Sequence, residues 1–262
     1  MFVQGIETQK DESVMESQQA EKSLSRLQTF YGHLNAHDLM RVMVEEEFPD
    51  QIALLSSFGA DSAMLISILA EVNPDVPILF LETHKHFPET LAYIKTLEAK
   101  FGLTNIQYLE PDKTLVNNID KDGNLWESQP NRCCWLRKVE PLDRAMKEFG
   151  YKALITGRKY YQTKDRENAP SIEKDEDGIF KVNPIISWTK EQFKEEFIAR
   201  DLPPHPLVAN NYLSIGCMPC TRPVKEGEDE RAGRWAHTDN IPGSDKKTEC
   251  GLHISKSPDW SV

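Results

Sequence analysis

Short uncharged apolar runs, separated by longer stretches of helical spacing, set the plan of this chain. The runs are Gln51-Ile-Ala-Leu-Leu-Ser56, Val76-Pro-Ile-Leu-Phe-Leu81, Ile106-Gln-Tyr-Leu109 and Ala153-Leu-Ile-Thr156. Each reads as a strand, and 51–56 fits one buried inside a sheet. Between them, 62–72 and 88–101 are predicted helices, the second opened by Pro88, which suits a first helical turn. Further helices are predicted over 12–34, 37–47 and 130–149, and from an N-capping Thr189 to about Arg200. Strands alternating with helices predict an α/β protein with a parallel, twisted sheet flanked by helices. Ligands of such sheets bind beyond the carboxyl ends of the strands, where 56–62, 82–87 and 157–166 fall. After about residue 183 the pattern fades, and from Pro203 the chain is rich in proline, glycine and charge. The expected organisation is a helical, partly disordered extension over 1–35 and a single domain over 36–262. The domain includes an irregular, mobile tail over 203–262.

The 262 residues, 39% hydrophobic and 28% charged, suffice for a sizeable core. A net charge of −11 argues against nucleic acid as the main partner. Residues 1–34 lack the apolar run of a signal peptide, and no stretch reaches the roughly 20 apolar residues of a membrane span. A cytoplasmic location without a membrane follows, and there cysteines stay reduced.

That compartment changes how the five cysteines are read. Cys133 and Cys134 are adjacent, Cys217 and Cys220 form a C-x-x-C, and Cys250 stands alone. Four soft ligands in two clusters suit Zn²⁺, a [2Fe–2S] or a [4Fe–4S] centre. Adjacent side chains on a helix diverge by about 100°, which favours separate iron corners over one ion, with zinc left open. Cys250, in Glu249-Cys250-Gly251-Leu252-His253, is the thiol left for chemistry. Gly251 allows an unusual backbone angle, and His253 is a candidate to assist the thiolate or bind substrate.

Anion-binding candidates surround this chemistry. Ser56, Ser57, Phe58, Gly59, Asp61 and Ser62 lie between a strand and a helix, where backbone N–H groups and the helix dipole favour phosphate. Lys138 follows Cys134 by four residues, on the same helical face, between the cysteines and an anionic ligand. Arg158, Arg166, Arg231 and Arg234 offer the planar fork that suits phosphate and sulfate. Ordinary surface charge is the competing account of Arg158 and Arg166. Solvent exposure competes equally with binding for His84 and His86.

The loop over 56–62 resembles the Ser-Gly-Gly-x-Asp-Ser loop of the ATP-pyrophosphatase superfamily, with Phe58 in place of the first glycine, as in sulfonucleotide reductases. Leu79-Phe80-Leu81-Glu82-Thr83 with Phe87-Pro88-Glu89-Thr90 is similar to that family's second motif. Cys133-Cys134-Trp-Leu-Arg137-Lys138 with Cys217-Met-Pro-Cys220 resembles the iron–sulfur motif of assimilatory adenylyl-sulfate reductases. Residues 249–253 resemble the family's catalytic tail. The resemblance, covering about 51–253, implies an adenine nucleotide alpha hydrolase-like (PP-loop) fold and a [4Fe–4S] cluster on Cys133, Cys134, Cys217 and Cys220. It implies thiol-dependent reduction of adenosine 5′-phosphosulfate to sulfite and AMP, for sulfate assimilation and cysteine biosynthesis, through an S-sulfocysteine on Cys250. Lys138, Arg231, Arg234 and His253 would act beside that thiol, and Thr83 would join the substrate-binding set. With the chain ending at Val262, the reductant is expected to be a separate thioredoxin or glutaredoxin. A homo-oligomer is compatible with all of this. The competing readings are a 3′-phosphoadenylyl-sulfate reductase, a PP-loop tRNA-thiolating enzyme, and a zinc-stapled nucleotide-binding module. Phe58 and the acidic charge count against the tRNA enzyme.

Overall fold

A computed structural model describes residues 23–240 together with 247, 249, 251 and 252. The predicted helix over 12–34 is described from residue 23, as α1 over 23–31; its earlier part lies outside the described residues. Leu27 of α1 is buried in the core. Helix α2, Ala36–Val42, is capped by the Asn35 side chain and runs into a wide turn over Met43–Glu47.

The four predicted strands form, as β1 (Ile52–Leu55), β2 (Ile78–Leu81), β3 (Ile106–Leu109) and β4 (Ala153–Ile155). Helices α3 (Ser62–Val72) and α4 (Pro88–Phe101) connect them as the spacing predicts. Two short helices, α5 (Lys113–Ile119) and α6 (Leu125–Ser128), carry too few apolar repeats to be foreseen. Residues 130–149 are not one helix. They divide into α7 (Pro130–Cys134), a wide turn over Trp135–Val139 and α8 (Glu140–Phe149). Pro141 has no N–H to give the Arg137 carbonyl, so the backbone widens there instead of continuing an α-helical ladder.

The sheet has six strands, not four, in the order β3-β2-β1-β4-β6-β5. The two unforeseen strands are β5 (Ile172–Lys174) and β6 (Phe180–Val182). β6 lies parallel to β4, whereas β5 pairs antiparallel with β6 at the edge. The expected all-parallel sheet is therefore mostly parallel with one antiparallel edge. Glu173 and Lys174 break the apolar pattern of edge strand β5, as charges commonly do there, and Lys181 breaks that of β6.

Alternate residues face opposite sides of the sheet. Ile52, Leu54, Ile78, Phe80 and Ile155 join the larger core with α2 and α3, while Ala53, Leu79, Leu81 and Leu154 pack with Leu142 and Met146 of α8. Helix α9, Lys190–Ala199, starts at Thr189 in a reciprocal cap with Gln192. Beyond it the chain is irregular yet pinned in place by short turns over Pro206–Asn210, Met218–Cys220 and Ala236–Asn240, and by a Thr221–Arg234 bridge. Among the described residues no helix is long and apolar enough to cross a membrane.

Candidate active site

Beyond the carboxyl ends of β1 and β4 lies a cavity of about 220 Å³. The loop after β1 forms one wall, with Ser56, Ser57, Gly59, Asp61 and Ser62 all lining it. Phe58 does not. Its φ of 48° turns the ring into the core, where it is fully buried and meets Phe80 edge-on at 5.6 Å. Phe58 thus serves the site through its backbone, whose N–H donates to Ser56 Oγ at 3.1 Å. The left-handed angle is costly for a bulky residue and is held by that packing.

Arg158 and Arg166 also line the cavity, and both are buried, so surface charge does not account for them. Arg158 donates to Asn183 Oδ1 at 3.1 Å and pairs with Glu173 of β5. Burial, then the charge of Arg166, pushes its guanidinium down to about 10. The unforeseen hairpin therefore supplies a partner for a cavity arginine. Lys159, without a role in the motifs, is only 1% exposed. Its Nζ lies 2.6 Å from Asp61 Oδ2 and 4.5 Å from the centre of the Phe193 ring.

The irregular segment closes the opposite side. Arg234 stacks on Trp235 at 4.3 Å and donates to the Ile215 carbonyl at 3.2 Å, while its buried Nε has no hydrogen-bond partner. Arg231 and Lys138 line the same cavity. The wide turn over Trp135–Val139 removes the regular helical spacing that suggested the placement of Lys138. Even so, Lys138 borders both this cavity and the space between the cysteines. His86 also lines the cavity, with Nε2 2.9 Å from the Leu81 carbonyl, and burial lowers its pKa; His84 is exposed.

Cys133, Cys134, Cys217 and Cys220 are all buried, form no disulfide, and surround one small space of about 10 Å³. Burial and neighbouring cysteines push the Cys133 and Cys220 thiols up to about 12. Burial would raise Cys217 too, but Lys138, Thr83 and Arg234 outweigh it and hold it below the ordinary thiol value. Thr83 belongs here and not to the cavity wall. Its Oγ1 lies 3.4 Å from Cys217 Sγ, and its carbonyl accepts from Arg137, which is buried against Asp120. Among the described residues no three cysteine, histidine or carboxylate side chains are grouped to hold a single metal ion.

Cys250 and His253 lie outside the described residues. Their neighbours Glu249 and Leu252 line the cavity. Glu249, unassigned in the sequence, is 4% exposed and gripped by Arg166 at 2.7 and 2.8 Å. Burial alone would raise its carboxyl; Arg166 and Arg231 overcome this and keep it below the usual carboxylate range. The assembled walls can bind a compact polyanion beside a buried group of soft ligands.

The sequence profile of the phosphoadenosine phosphosulfate reductase domain matches residues 51–223. A protein named adenosine 5′-phosphosulfate reductase from Mesorhizobium japonicum is 45% identical, over 87% of this chain and 86% of its own. One of the same name from Staphylococcus haemolyticus is 39% identical, over 80% and 84%. A phosphoadenylyl-sulfate reductase from Candida auris, crystallised with phosphate, superposes with a TM-score of 0.64 at 27% identity, covering 76% of this chain and 96% of that one. The FMN adenylyltransferase of Candida glabrata, at 14% identity and a TM-score of 0.52 over 91% and 86% of the two chains, shares the fold alone. On both the profile and the relatives, the chain belongs to the phosphoadenosine phosphosulfate reductase family.

Proposed function

We propose that this chain reduces adenosine 5′-phosphosulfate to sulfite and AMP in sulfate assimilation, with residues 36–262 acting as one catalytic domain in the cytoplasm. One observation carries the reading: both flanks of Cys250 line a cavity walled by Lys138, Arg158, Lys159, Arg166, Arg231 and Arg234. The loop over 56–62 and the strand-end basic residues bind the nucleotide's phosphosulfate. The Cys250 thiolate attacks the sulfate sulfur, an S–S bond forms, and the S–O bond to AMP breaks with its electron pair leaving on AMP. Lys138, Arg231 and Arg234 stabilise the negative charge that gathers on the transferring group, and His253 assists the thiolate. A thiolate of thioredoxin or glutaredoxin then attacks Cys250 Sγ, sulfite departs with the bond's electron pair, and the second thiol releases the enzyme as a dithiol becomes a disulfide.

Cys133, Cys134, Cys217 and Cys220 would hold a [4Fe–4S] cluster. The donor set fits: the four thiols are buried, form no disulfide and surround one space. When bound, the cluster supplies a cross-link from α7 to the tail and a local field, since the dithiol provides both electrons.

The test is sulfite release from adenylyl sulfate with thioredoxin supplied. Cys250→Ser is expected to form no sulfite-labelled enzyme while keeping the visible absorption of the cluster; persistent label would refute Cys250 as nucleophile. Comparing rates with and without a 3′-phosphate separates this reading from phosphoadenylyl-sulfate reduction. The relatives' shared name favours the unphosphorylated substrate.

A further inference from the structure

Glu249 is a buried carboxylate that none of these steps uses. Arg166 holds both of its oxygens, Nε to Oε1 at 2.7 Å and Nη2 to Oε2 at 2.8 Å. Thr163 Oγ1 donates to Oε1 at 3.1 Å, and Arg231 Nη2 lies 3.8 Å from Oε2. Arg166 is itself braced by Gln162, which accepts from Nη1. A planar fork on both carboxylate oxygens fixes direction as well as distance. Glu249 is bonded to Cys250 in sequence, and consecutive Cα atoms are about 3.8 Å apart. Holding the first residue therefore limits where the second can be.

We infer that Glu249 is a positioning residue: its carboxylate, clamped by Arg166, Thr163 and Arg231, registers the thiol-bearing segment against the cavity for sulfuryl transfer. The inference rests on the reading of Cys250 as the accepting thiol. The clamp has a second consequence, because the arginines that hold Glu249 also line the anion cavity. The carboxylate partly neutralises them. Removing its charge therefore loosens the segment while leaving the cavity more attractive to anions. Substrate binding and transfer rate then move independently, whereas damage to the fold would lower both.

Single-turnover transfer from labelled adenylyl sulfate, paired with equilibrium binding of AMP, reads the two effects on the iron-loaded full chain. In Glu249→Gln, formation of labelled enzyme is expected to slow about 100-fold, the size of effect that a 1 Å misplacement of reacting groups can produce. AMP is expected to bind no more weakly than to the wild type. Glu249→Asp, which keeps the charge on a shorter arm, should recover part of the rate. Wild-type transfer in Glu249→Gln would overturn the inference. So would a slow Glu249→Gln that loses AMP affinity in proportion, or an Asp variant no faster than Gln. Cys250→Ser separates the two levels: label in that variant refutes the nucleophile, whereas an unlabelled Cys250→Ser beside a fast Glu249→Gln refutes only the clamp.

Discussion

Arg234 owes its position to a residue without a side chain. A Cβ built on Gly216 would lie 2.5 Å from Arg234 Nη2 and 2.7 Å from Cζ. The guanidinium is the far end of a flexible side chain, so Gly216→Ala should fold, with Arg234 pushed off the Trp235 ring and the Ile215 carbonyl. The expected result is a melting temperature within a few degrees of wild type and a kcat/KM lower by about 100-fold, the lower end of the loss seen when one oxyanion-stabilising donor is removed. Steady-state kinetics alongside thermal unfolding checks it; unchanged kinetics would show that Arg234 does not need this seat. The motifs made Arg234 visible in the sequence but not Gly216, because a spacing pattern records which groups bear charge and not what they rest upon. Lys159 and Glu249 were hidden for a related reason. Their partners Asp61 and Arg166 lie 98 and 83 residues away, and only the fold brings each pair together. Phe58 misled in the opposite direction, since a loop motif does not say which way a residue at positive φ points.

At the scale of elements, the central strands β1, β2 and β4 were legible because burial on both faces demands continuous apolar runs, whereas β3, half exposed at the sheet edge, was legible from its position in the strand–helix alternation. The β5–β6 hairpin was not, because both strands are only three residues long and carry charges, Glu173 and Lys174 on edge strand β5 and Lys181 on β6, nor was the wide turn before Pro141, where one missing N–H decides the backbone. The joint between α4 and the irregular segment also needed coordinates. There His205 is buried, with Nδ1 accepting from the Leu207 N–H at 3.2 Å and Nε2 3.1 Å from Thr90 Oγ1. The ring sits edge-on to Tyr93, and burial lowers its pKa to about 4. An unfolded histidine titrates near 6.5, so between those values the unfolded chain binds the extra proton. Stability therefore falls as pH drops from about 6.5 to 4, and rises again with pH. The expected contribution is a loss of about 2 kcal/mol between pH 7 and pH 5. Urea unfolding at the two pH values should show this difference in the wild type and a smaller one in His205→Gln. Equal pH dependence in both would assign the effect to other groups.

Across the whole molecule, the sheet and the cysteine group are separable bodies. The two large cores that sandwich the sheet contain none of the four cysteines; Cys133 packs with Leu125 and Leu136, and Cys217 and Cys220 with Trp235, in small satellite clusters that share Trp126. Those satellites join α7 to the segment that carries Arg231 and Arg234. Losing a centre that links them should therefore release the anion-binding arginines without melting the sheet. An anaerobically purified chain with the proposed cluster should contain about four irons and be coloured. Chelation should abolish the visible absorption and sulfite formation and weaken AMP binding, while far-UV circular dichroism stays largely native. Of the thiols left behind, Cys133 and Cys220 would be protonated at neutral pH, since burial and neighbouring cysteines push them up to about 12, and iron should rebind more readily as pH rises. Zinc gives the opposing outcome. On the cluster reading, zinc should not restore the AMP affinity of the chelated chain. A colourless chain with one tightly held zinc and full activity would refute the cluster and leave the cavity chemistry to stand on the basic residues alone.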